Sequence, residues 1–157
     1  MNFKESLLMV YTAQSKHWFH AKMLICKYVL EQGMVPLNPF NLWAYFLDDL
    51  VERDLIRRAN HNVVRTADQI WVFGPIADGV IAEINYAIEL KKPIRYFSIG
   101  SKMEDFRPIE ISELQFEPEL DSEQAIERIR MRLKEYEQSV MPPPVPPVIS
   151  ELPLTPS

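Results

Sequence analysis

The passage "ADQIWVFGPIADGVIAEINYAIELKKPIRYF" (67–97) holds two short runs rich in β-branched and aromatic residues, "DQIWVFG" (68–74) and "PIRYFSI" (93–99). Between them Asp78–Lys91 carries Ile81, Ile84 and Ile88 on one stripe at helical spacing. Two strands separated by a helix cannot close as a hairpin; they lie parallel, joined by a right-handed crossover. The same alternation runs back toward the N-terminus. "LLMVYTAQ" (7–14) is a continuous apolar run suited to a strand covered on both faces, and "KHWFHAKMLICKYVLEQG" (16–33) reads as a helix. In that helix Phe19, Met23, Cys26 and Leu30 suggest the buried stripe, and Gly33 ends it at C′. "MVPLNPF" (34–40) is a short second strand that Pro36 and Pro39 mark as an edge. "NLWAYFLDDLVERDLIRRANHNVVRT" (41–66) is one broken helix or two, and "ISELQFEPEL" (111–120) is a candidate fifth strand. "DSEQAIERIRMRLKEYEQSV" (121–140) is a final amphipathic helix capped by Asp121 or Ser122. The expected fold class is α/β, a three-layer, doubly wound parallel sheet of flavodoxin-like strand order 2-1-3-4(-5).

At 157 residues the chain supports one such domain, expected over residues 1–140. Beyond it, "MPPPVPPVISELPLTPS" (141–157) holds 7 of the 13 prolines and reads as an extended tail. A balance of 17 Lys+Arg against 22 Asp+Glu disfavours a broad nucleic-acid-polymer or anionic-membrane surface. No apolar run approaches the ~18 residues of a membrane span, and a single cysteine, Cys26, offers neither disulfide nor Cys-rich metal centre. His17 and His20 lack a third ligand, so no metal is expected and no cofactor either. A cytoplasmic protein is expected. The aromatic cluster Trp43, Tyr45 and Phe46 suggests a subunit interface, hence a homodimer or higher homo-oligomer.

Parallel sheets bind ligands beyond the carboxyl ends of their strands. Four segments converge there: "TAQSKHW" (12–18), "NPFN" (38–41), "GPIADG" (74–79) and "SIGS" (98–101). Gly74 and Gly79 frame the third junction, where the next helix opens its unpaired N–H groups. If Asp78 is the N-cap, Glu83 falls at the fifth helical position, past the third position a capping box uses. Glu83 then has no capping duty and leans over the end of the sheet.

The stretch "ADQIWVFGPIADGVIAEINYAIELKKPI", with "VYTAQ" on the first strand and "EQGMVPLNPF" leading into the second, resembles the nucleoside 2-deoxyribosyltransferase-like superfamily over residues 7–99. The wording "DQIWVFG" looks closest to a bacterial branch apart from the best-known transferases. The resemblance implies cleavage of the N-glycosidic bond of a (deoxy)nucleoside or nucleotide. Glu83 would attack the anomeric carbon, giving a covalent glycosyl-enzyme that water or another base resolves. Asp78 would protonate the departing base or hold a sugar hydroxyl, and Tyr11 would orient Glu83. Gln14, Asn38 and Gly79 would contact the ligand, with Trp18 or Phe40 stacking on the base.

Asn60 stands where many members carry an aspartate; an amide holds a hydroxyl but takes no proton at neutral pH. Asp78 matches a phosphate-gripping serine of the nucleotide hydrolases, which makes a nucleoside the better fit. The alternative is a catalytically silent sensor or accessory protein that binds a nucleoside or nucleotide. Flavin binding is disfavoured, because the first loop lacks a phosphate cradle rich in Ser, Thr and Gly.

Overall fold

The structure, a computed structural model, describes residues 6–44 and 50–140. Four strands, β1 (Met9–Gln14), β2 (Val35–Leu37), β3 (Gln69–Phe73) and β4 (Ile94–Phe97), form one parallel sheet in the order β2-β1-β3-β4. Register is set by Met9 opposite Val35, Val10 opposite Gln69, and Ile70 opposite Ile94. Between the strands lie α1 (Lys22–Glu31), α2 (Pro39–Leu42), α3 (Arg53–Thr66) and α4 (Asp78–Glu89), and α5 (Glu123–Ser139) closes the order. The edge position of β2 fits its Pro36, and Pro39 starts α2 where its missing N–H costs nothing.

Alternation along the strands separates two cores. Tyr11, Ala13, Ile70 and Val72 face a cluster with Val64 of α3, Ile84 and Ala87 of α4 and Leu133 of α5. Val10, Trp71, Phe73 and Phe97 face the other side, with Ile25, Tyr28 and Val29 of α1 and Phe106. The rings there pack closely, with Trp71 and Phe97 centroids 4.7 Å apart and Phe73 and Phe97 5.0 Å apart. Each such ring, buried from water, contributes roughly 2–3 kcal/mol. Arg95 lays its guanidinium 5.0 Å from the centre of the Trp71 ring, covering the sheet edge with a cation–π contact.

Two expectations change. The stripe Phe19, Met23, Leu30 of the first helix is exposed, and α1 buries Ile25, Tyr28 and Val29 instead, with Ala21 of the turn before it. The reason is a 3-10 turn over Lys16–Ala21, whose tighter winding resets the phase before α1 begins at Lys22. The fifth strand is also absent among the described residues. Ile111–Glu113 forms a 3-10 turn, and Phe116 makes a single parallel bridge with Ile76 before Pro118 interrupts the ladder. This strap nonetheless adds two bonds, Ile76 N–H to Gln115 O (2.9 Å) and Glu117 N–H to Ile76 O (2.8 Å).

Gly74 turns the chain out of β3 with a φ of +75°, and a Cβ there would sit 2.4 Å from Ile99 Cγ2. Gly74→Ala should therefore cost about 2 kcal/mol or more in urea unfolding, from backbone strain and overlap together. An unchanged midpoint would contradict this geometry. The tail at 141–157 and the residues Tyr45 and Phe46 lie outside the described residues.

Candidate active site

Beyond the carboxyl ends of β1 and β3 lies a cavity of about 490 Å³. That is room for a nucleoside-sized molecule. Its walls come from the loop after β1 (Gln14 to His17), the start of α2, α3, and the first turns of α4. Of the residues singled out in the sequence, Gln14, Phe40, Asn60, Asp78, Gly79 and Glu83 line it.

Glu83 is the sixth residue of α4, because Ala77 occupies the N-cap and Asp78 is the first helical residue. Asp78 is thus a first-turn carboxylate favoured by the helix dipole, not the cap. Glu83 lies past any capping position, on the face of α4 turned to the sheet. There it meets Tyr11 of β1. Glu83 Oε2 and the Tyr11 hydroxyl are both sealed from solvent, and neither has a well-formed hydrogen bond. They are near enough to act on each other all the same. Burial pushes the Glu83 carboxyl up to about 8, while the adjacent Tyr11 hydroxyl pulls it partly back. Burial, then the Glu83 charge, holds the Tyr11 hydroxyl well above its ordinary value, so it stays a proton donor. Without a ligand Glu83 is mostly protonated at neutral pH, with about a tenth ionised at pH 7.

Asn38 is buried and is not among the residues that line the cavity. Its amide nitrogen donates to Thr12 Oγ1 (2.9 Å) and Gln14 Oε1 (2.7 Å). Its carbonyl oxygen accepts from the N–H groups of Phe40 (3.0 Å) and Asn41 (3.3 Å), capping α2. All four valences of the amide are therefore used inside the protein. Gln14 in turn donates from Nε2 to the Trp18 carbonyl at 2.7 Å. The Asn38–Gln14 chain holds the β1 loop and α2 in place around the cavity. Trp18 lies elsewhere: it packs beside the aromatic core and stacks on His20, 5.4 Å away. Its φ of −111° inside the 3-10 turn swings it off the helical path.

Asn60 Oδ1 accepts from Trp43 Nε1 at 2.7 Å, so its acceptor atom faces an indole. Trp43, read from the sequence as part of a subunit interface, joins Phe40 as an aromatic wall of the cavity, where the sequence offered Trp18 or Phe40. Further charged groups line the cavity. Lys16 and Arg53 bring positive charge to the lining, and Glu119 brings a third carboxylate to the α4 side. Among the described residues no cluster of His, Cys, Asp or Glu could hold a metal ion, and no helix is long and apolar enough to cross a membrane.

Solved structures similar to this chain include a CMP N-glycosidase from Clostridium botulinum, at 16% identity over 62% of this chain and 92% of that one, with a TM-score of 0.43. A 2-deoxyribosyltransferase from Bacillus psychrosaccharolyticus is 16% identical over 75% of this chain and 95% of its own, with a TM-score of 0.45. A 2-deoxyribosyltransferase from Leishmania mexicana is 19% identical over 80% and 97%, with a TM-score of 0.47. Likeness this low transfers no activity, and the architecture rests on the strand order itself. No curated protein matches the chain. The family model for a domain of unknown function, DUF7768, matches residues 10–97, more than half of the sequence. The chain belongs to the DUF7768 family.

Proposed function

We propose that this protein cleaves or exchanges the N-glycosidic bond of a (deoxy)nucleoside or related nucleotide, with Glu83 as nucleophile. The observation that carries the reading is the sealed pair Glu83 Oε2 and Tyr11 hydroxyl, which act on each other without a well-formed hydrogen bond, beside a cavity of nucleoside size. Buried polar atoms without a well-formed hydrogen bond are rare in folded proteins and concentrate where a ligand or a reaction uses them.

In the reaction, an ionised Glu83 oxygen forms a bond to the anomeric carbon as the bond from that carbon to the base nitrogen breaks. The electron pair of the broken bond leaves on the base, which takes a proton from solvent. Asp78 serves as an acceptor for a sugar hydroxyl. The resulting glycosyl ester of Glu83 is opened by water, giving the free sugar, or by the nitrogen of a second base, giving a new nucleoside. The Tyr11 hydroxyl steadies the ionised carboxylate and keeps its attacking oxygen aimed. Phe40 and Trp43 offer flat apolar surface to the base.

Because Glu83 must lose its proton to attack, kcat/KM for base release should rise roughly tenfold per pH unit below about 8 and level off above it. A profile flat between about pH 6 and 8 would show that Glu83 is not held protonated in the free protein. The silent-binder reading has its own support. Glu83 holds a proton at neutral pH, and the Asn60 acceptor atom is already engaged by Trp43. A wild-type protein that binds nucleosides yet releases no base above pH 8 would establish that second reading.

A further inference from the structure

The strap after β4 does more than cover the end of the sheet. Its bridge to Ile76 fixes residues 115–117 one residue before the Ala77 cap of α4. Arg130 of α5 locks the strap from behind, donating from Nη2 to the Leu114 carbonyl (2.7 Å) and lying 5.3 Å from the centre of the Phe116 ring. Beyond Pro118, a turn closed by Leu120 N–H to Glu117 O (2.9 Å) carries Glu119 over the start of α4. There its Oε1 accepts from the Asp78 N–H at 3.3 Å. Ala77 offers no capping side chain, so the carboxylate that meets the helix start comes from a residue 41 positions away. Glu119 also lines the cavity, together with Asp78 and Glu83.

We propose that Glu119 is a specificity-determining residue: it occupies the anion-accepting start of α4 and thereby makes that end of the cavity a subsite for a sugar with free hydroxyls, closed to the phosphorylated form. The inference rests on the nucleoside reading above and narrows it. Helix starts ordinarily draw phosphate through their free N–H groups and dipole. Here one N–H already has a carboxylate partner, and the side chains of Asp78 and Glu119 stand together at that helix start on the cavity wall. Carboxylate oxygens suit sugar hydroxyls, which donate to them, and oppose phosphate oxygens, which cannot. The cationic lining groups, Lys16, Arg53 and Arg57, come from the turn after β1 and from α3, not from α4 or the strap.

The test is calorimetric titration of the wild type, Glu119→Gln and Glu119→Ala with the common 2′-deoxynucleosides, their 5′-monophosphates, and inorganic phosphate. Wild type should bind a nucleoside about tenfold or more tighter than its monophosphate. Both variants should narrow that ratio by about tenfold, through tighter monophosphate binding, with Glu119→Ala also losing part of its nucleoside affinity. A wild type that binds the monophosphate as tightly as the nucleoside, or a ratio unmoved in both variants, overturns the assignment. If no nucleoside or monophosphate binds, the functional reading fails, and inorganic phosphate then decides this inference alone. Tighter phosphate binding in the variants sustains Glu119 as an anion filter; equal binding in all three proteins overturns it.

Discussion

Glu83→Gln is expected to lower base release by about three orders of magnitude or more while leaving nucleoside binding largely intact. Glutamine keeps the size and much of the hydrogen bonding but cannot attack an anomeric carbon. The same substitution should stabilise the fold at neutral pH, which separates it from ordinary damage. Glu83 has its folded-state value raised to about 8, so the native protein holds a proton there that the unfolded chain has already lost. The stability tied to that proton is complete below the ordinary carboxylate range and falls as pH climbs toward 8. Glutamine carries no such penalty. The gain in unfolding free energy should grow across that window to a plateau on the order of a few kcal/mol. An equal stability difference at pH 5 and pH 8 would mean that Glu83 is not held protonated in the native state.

Asn38→Ala should be the most destabilising substitution near the cavity. It orphans the buried Thr12 hydroxyl and the Gln14 carbonyl oxygen, and it removes the cap of α2. Lost buried hydrogen bonds and a lost cap together should cost about 2–4 kcal/mol. For a domain of this size the melting temperature should fall by roughly 5–12 °C. Any loss of nucleoside affinity would follow from the displaced β1 loop and α2, since Asn38 itself does not line the cavity. A melting temperature unchanged in Asn38→Ala would show that the buried network does not hold these elements.

How much of this was legible in the sequence depends on the range of the interactions. The parallel order followed from strand-length apolar runs alternating with helical stripes, and each run is local. Asp78 and Glu83 were legible for the same reason, since five positions on one helix after one strand fix them relative to the sheet end. Even there the cap was off by one residue, because Ala77 takes the N-cap conformation without a capping side chain. The α1 stripe failed where a 3-10 turn broke the 3.6-residue phase. That same turn set Trp18 against the side of the aromatic core and left the wall beside Phe40 to Trp43. Asn38 was placed at the correct strand end, but nothing local shows that its amide reaches Thr12, 26 residues away. Glu119 was invisible, because its position depends on a single bridge between Ile76 and Phe116 and a turn around Pro118.

The central claim is that this cavity breaks N-glycosidic bonds through Glu83, and base release tests it most directly. Wild-type protein is incubated above pH 8, where Glu83 is ionised, with each common ribonucleoside and 2′-deoxynucleoside, with and without a second free base, and the mixtures are resolved by chromatography. The account predicts a free base from at least one nucleoside, matched by free sugar or by a new nucleoside, and none above background with Glu83→Gln. Nucleosides that bind yet all remain intact, or base release that persists undiminished in Glu83→Gln, would contradict it.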